Sequence, residues 1–154
     1  MKFIFGFILA LLAVPAFAQT TKESDVFTAK DMKTKLALLE EASKASGSGG
    51  AKLGDYGNHS IALSVRSSSG GAEVHAHYDD IFLVTQGKAA LITGGTVVDA
   101  KTGADGETKG TKVQGGKVQT IAVGDVVHIP AGTPHQLIIA PGATYSSVVI
   151  KVKE

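Results

Sequence analysis

The chain has 154 residues, room for one domain but not comfortably for two. Its 15 Lys+Arg and 14 Asp+Glu leave a formal net charge of +1, which argues against nucleic acid or an anionic membrane as partner. Cysteine and tryptophan are absent and aromatics make up 6%, which excludes disulfides, thiolate ligands, a cysteine nucleophile and a broad aromatic sugar platform.

Residues 1–18 read as a signal peptide. Lys2 is a minimal positive n-region, Phe3 to Val14 is an apolar core, and Ala16-Phe17-Ala18 gives a small-x-small cut before Gln19. The apolar run is shorter than the ~20 residues that span a bilayer, so no stable membrane insertion is expected after cleavage. The expected location is periplasmic or secreted. Without Lys2 the exported chain has 14 basic and 14 acidic residues and is neutral.

Residues 19–27 read as a tether, and a helix is expected from Thr28. Thr28 is the N-cap with Asp31 three residues on, and Met32, Leu36 and Leu39 form one apolar stripe. The helix is expected to fade near Lys44, before the flexible break Gly47-Ser48-Gly49-Gly50. It would pack outside the main domain or at a dimer seam. The division is thus 19–50 for helix and linker and 51–154 for the main domain.

Beyond residue 50, short β-branched runs alternate with glycine turns. They are Ser60–Arg66, Ala72–His77, Ile81–Thr85, Ala89–Thr93, Thr96–Val98, Lys117–Val123, Val126–Ile129, Gln136–Ile139 and Tyr145–Val152. This is the pattern of an all-β sandwich or barrel. Asp99 to Gly116 is glycine-rich and charged, and reads as a surface loop or hairpin excursion, with a lid over the barrel mouth as the alternative.

His75 and His77 stand two apart, which on a strand turns both imidazoles to one face. Asp80 follows, and His135 comes far downstream after a Pro/Gly turn. Three imidazoles and a carboxylate suit one divalent ion, Fe, Mn, Zn, Ni or Cu. Glu73 shares the parity of the pair and reads as an extra ligand, a general base or a rim carboxylate. Phe82 and Val84 share the parity of Asp80 and should add apolar lining. Asp79 and His128 read as turn and outward residues, and His59 as a capping or surface residue. Arg66, the sole arginine, reads as a rim residue, or as a grip for a carboxylate if buried.

Two segments resemble the motifs of the cupin superfamily. The first motif, G-x5-H-x-H-x(2–4)-E-x6-G, compares with Gly70 to Gly87, and the second, G-x5-P-x-G-x2-H-x3-N, with Gly124 to His135 and on to residue 139. Three positions depart: Asp80 stands for the glutamate, Gly70 lies one residue too close to His75, and Ile139 replaces the final asparagine. The resemblance implies a double-stranded β-helix (jelly-roll) barrel behind an N-terminal helix. It further implies metal held by His75, His77, His135 and Asp80, the last either as ligand or acting through water. Implied activities are those of a metal-dependent dioxygenase, isomerase or lyase on a small oxygen-bearing molecule; the residues themselves offer Glu73, by its parity, as the catalytic group, with Asp79 as the other acid/base candidate. The alternative is a non-catalytic module binding a sugar or organic acid. A homodimer is expected, since cupins commonly pair through their sheets.

Overall fold

A computed structural model describes residues 23–154, so the expected signal segment lies outside the described residues. Helix α1 (Ala29–Ser46) begins where the Thr28 hydroxyl accepts the Asp31 amide and ends at Gly47 in the left-handed region, φ +83°. Thirteen strands follow. They are β1 (Ser48–Asp55), β2 (His59–Arg66), β3 (Ala72–His75), β4 (Tyr78–Gln86), β5 (Lys88–Thr93), β6 (Thr96–Val98) and β7 (Lys101–Thr102). Then come β8 (Glu107–Gly110), β9 (Lys112–Gln114), β10 (Lys117–Ala122), β11 (Val126–Ile129), β12 (His135–Ile138) and β13 (Tyr145–Lys153). No described helix is long and apolar enough to cross a membrane.

Two antiparallel sheets face each other. One has the order β1-β2-β13-β4-β11, the other β10-β5-β12-β3-β8-β7, with β6 and β9 as a separate pair. Alternation explains the core: Phe82 and Val84 of β4, Leu91 of β5, Leu137 of β12 and Tyr145 of β13 turn inward and pack with Ile121, Ile129 and Ile139. Each such side chain contributes about 1.5–3 kcal/mol by leaving water. Gly87 makes the β4–β5 turn at φ +67°, where an added Cβ would lie 2.0 Å from the Thr144 carbonyl oxygen.

Two segments differ from the sequence expectations, and a third decides between two readings. The Gly/Ser break is not a linker from Ser48 on: it opens β1, which pairs with β2 from Ser48↔Arg66 to Asp55↔Ser60. Edge pairing overrides poor strand propensity there. Gly49 also lets α1 lie close, since a Cβ would meet the Leu39 carbonyl oxygen at 2.7 Å. The strand expected over Ala72–His77 stops at His75, and Ala76 and His77 form the turn into β4. Finally, Asp99–Gly116 takes the hairpin form of its two readings and not that of a surface loop. It folds into β7, β8 and β9, and β8 pairs with β3 over four residues, ending at His75↔Glu107.

Candidate metal centre

One end of the barrel interior is polar. β3 supplies Glu73 and His75, β12 supplies His135, and the register sets His135 directly opposite Glu73. One donor atom from each of these three side chains lies within 4.8 Å of the others. His75 and His135 are buried, with ring centroids 5.1 Å apart. β4 brings Asp80, 3% exposed, into the same place. Its Oδ2 is 3.2 Å from His75 Nε2 and 3.7 Å from His135 Nε2. Glu73 Oε2 stands 4.0 Å from His75 Nε2.

The far side of each ring is tied down. His75 Nδ1 meets the Glu107 carboxylate, and His135 Nδ1 lies 3.0 Å from the Thr133 carbonyl oxygen. A carbonyl oxygen only accepts, so His135 Nδ1 carries a proton, and the carboxylate favours the same tautomer at His75. In neutral rings both Nε2 lone pairs then point at the Asp80 and Glu73 oxygens. Acceptors facing acceptors in a buried site repel unless a proton or cation sits between them. Two ligands sharing an ion at ~2.1 Å stand roughly 3.0–3.4 Å apart; the His75–Asp80 separation falls in that range, and those of His135 to Asp80 and of His75 to Glu73, 3.7 and 4.0 Å, are wider. The donor set therefore fits a divalent ion, and each imidazole has the outer hydrogen-bond partner that metal-bound histidines require.

Charge is balanced from the barrel wall. Lys151 Nζ on β13 lies 2.8 Å from Asp80 Oδ1, an ion pair by distance whose angles fall short of a hydrogen bond. Burial raises the Asp80 pKa, but His75 and Lys151 outweigh it and hold the carboxyl below its usual value. At His75, burial pulls the pKa down while Asp80 and Glu107 push harder upward, so it ends above the ordinary imidazole value. His135 goes the other way, because burial dominates. All of these groups face a cavity of about 270 Å³ between the two sheets.

Solved structures share this architecture. The cupin domain of Schizosaccharomyces pombe Cnp3 superposes with a TM-score of 0.52 at 10% identity, over 70% of this chain and 61% of its own. A cupin-2 domain protein from Rhodospirillum rubrum gives 0.50 at 13% identity over 70% and 61%. A structure of oxalate oxidase gives 0.50 at 16% identity over 70% and 51%. The chain has the cupin fold. It spans about half to three fifths of the length of these neighbours. No protein-family model and no curated protein matches the sequence.

Within the cupin barrel, the sequence-nominated residues separate. Glu73, His75, Asp80 and His135 lie together: strand parity put Glu73 beside His75, and the motif resemblance supplied Asp80 and His135. His77 does not join them. The β3–β4 turn carries it out to solvent, beside Gly106 and away from the cluster. Alternation cannot hold across a turn, which is why the two-apart spacing misleads. Asp79 accepts the Ala131 amide at 2.7 Å and pairs with His128 Nε2 at 3.0 Å, clipping the Pro130–Gly132 turn that delivers His135. His59 stacks on Tyr56 at the surface. Phe82 lines the cavity, whereas Val84 belongs to the apolar core. Arg66 also lines the cavity rather than standing on an outer rim.

Sequence reasoning missed Lys151, the partner of Asp80, and above all Glu107. It comes from the glycine-rich segment, 32 positions from His75, and nothing local marks it. The only signal was the notion of a hairpin excursion, without a pairing partner.

Proposed function

We propose that this cupin binds one divalent metal ion through His75, His135 and Asp80, with Glu73 beside them as the proton-transfer group, and acts on a small oxygen-bearing molecule in the adjoining cavity. The observation that carries the reading is the convergence of both imidazole Nε2 atoms on the Asp80 and Glu73 oxygens, with both Nδ1 atoms engaged elsewhere. Imidazole and carboxylate donors suit Fe(II), Mn(II), Zn(II), Ni(II) or Cu(II). Such an ion supplies Lewis-acid polarisation of a bound oxygen or, as iron, access to O2 chemistry.

The chain's own groups do the rest. Glu107 fixes the His75 ring, Lys151 holds Asp80 ionised, and Phe82 and Val149 exclude water from one wall. Glu73 is only half-buried and is the carboxylate in reach of a proton on a bound molecule. Export and homodimer formation belong to the same proposal. Elemental analysis of protein loaded with each metal and then gel-filtered tests it. Near one equivalent of a transition metal, lost in His135→Ala, is expected. Retention of no metal by the wild type rejects the reading. A binding protein without turnover is separated from an enzyme by Glu73→Gln, which should keep the metal and lose conversion of any substrate found.

A further inference from the structure

The cavity has a second pole, at the end away from the metal ligands. Arg66 closes β2 opposite Tyr145 of β13, six residues before Lys151, which contacts Asp80. At ~3.3 Å per residue the two backbone levels stand roughly 20 Å apart, and the arginine side chain spans part of that gap. Arg66 and Ser64 both line the cavity, and between Arg66 and the imidazoles its wall is Ser147, Val149, Phe82 and Leu137.

The guanidinium is set but not satisfied. Its Nη1 rests against Gly70, where an added Cβ would lie 2.6 Å away, so the absence of a side chain at Gly70 makes its seat. Its Nε is buried and has no hydrogen-bond partner. The buried hydroxyl of Tyr145, the residue across from it, is also without one. Among the described residues, none of the ion pairs involves Arg66. A buried donor left unmade is costly, and a charged one more so. The planar fork of a guanidinium matches two oxygens of one carboxylate. The wall between the poles is largely apolar, and the volume lies just under the range that holds drug-sized ligands.

We infer that the cavity takes an elongated organic monocarboxylate, its carboxylate held by Arg66 and its chain lying along Phe82, Val149 and Leu137 toward the imidazoles. That the far end carries an oxygen donor rests on the metal reading above; the grip by Arg66 does not.

The test is calorimetric titration of the purified protein, metal-free and zinc-loaded, with hexanoate, hexanamide, hexyl phosphate and 6-hydroxyhexanoate. Hexanoate should bind metal-free protein at least about tenfold more tightly than hexanamide, the worth of a charge-assisted hydrogen bond. Arg66→Gln should abolish that preference. Gly70→Ala should do so too, by pushing aside only the far end of a flexible side chain. Zinc content and the circular dichroism spectrum should stay unchanged in both. Zinc should strengthen 6-hydroxyhexanoate relative to hexanoate. Equal affinity for acid and amide in metal-free wild type, a preference retained in Arg66→Gln, or tighter binding of hexyl phosphate overturns the carboxylate grip. No effect of zinc on the hydroxy acid overturns the spanning pose. Failure to take up zinc with the acid preference intact rejects the metal reading alone. The acid–amide comparison needs no variant, so a misfolded Arg66→Gln does not remove the test.

Discussion

The barrel interior has two halves built by the same strands. β4 gives Val84 to the apolar half and Asp80 to the polar one; β12 gives Leu137 and His135; β13 gives Tyr145 and Lys151. In the apolar half, side chains pack on one another, and the Tyr145 hydroxyl alone among them is a buried polar atom without a hydrogen-bond partner. In the polar half, acceptors face acceptors between the imidazoles and Asp80, with Lys151 offsetting part of that charge, while Arg66, whose Nε lacks a partner, lies at the other end beside Tyr145. One half holds the fold together, and the other gathers the buried titratable groups.

That division is open to mutation. The largest effect should fall on metal uptake: His135→Ala or His75→Ala is expected to weaken it by more than about a hundredfold while the barrel still unfolds cooperatively. Elemental analysis and denaturant titration read the two properties separately. If either change instead unfolds the protein, the polar half is structural and the contrast fails. In the apolar half, Leu91→Ala should cost about 2–5 kcal/mol in urea unfolding and leave metal affinity per folded molecule unchanged.

Next in size is Glu107→Ala, expected to weaken metal binding by about tenfold to a hundredfold, since it frees the outer nitrogen of His75. An effect under twofold would mean that the hairpin plays no part in the site. The pH dependence follows from His75. Its pKa sits above the ordinary value, so protons begin to compete with metal above pH ~6.5, and affinity should fall about tenfold per pH unit below that raised pKa. His135, held low by burial, joins only in stronger acid. In the metal-free protein, the stability due to His75 is present below pH ~6.5 and lost as pH rises through its raised pKa. Asp80 contributes above its unfolded pKa and loses that contribution as pH falls through the lowered one. An affinity flat between pH 8 and 6 would count against His75 as a ligand. The smallest effect is expected at His77→Ala, which should change metal affinity by less than about twofold, because the residue lies outside the cluster.

What the sequence made legible was local. Thr28 with Asp31, and the parity of Glu73 with His75 and of Asp80 with Phe82, all depend on residues a few positions apart. Those features emerged as read. Ala76-His77 carries no Gly, Pro, Asn or Asp to announce a turn, so the strand seemed to run on through His77. Glu107 and the strand at Ser48-Gly49-Gly50 depend on pairing with β3 and β2, a tertiary fact that overrides weak local propensity. Arg66 was visible as the lone arginine, but its place in the cavity wall, seated against Gly70 four residues on, follows from the turn after β2.

The β7–β8 hairpin has a consequence for how such a site is altered. It clasps β3 through four residue pairs, and its Glu107 touches the His75 imidazole. The barrel core draws nothing from it. Changes of length or sequence in this appendage can retune the basicity of the His75 imidazole without disturbing the scaffold. The surface ornament thus behaves as an adjusting screw, set from outside the barrel wall.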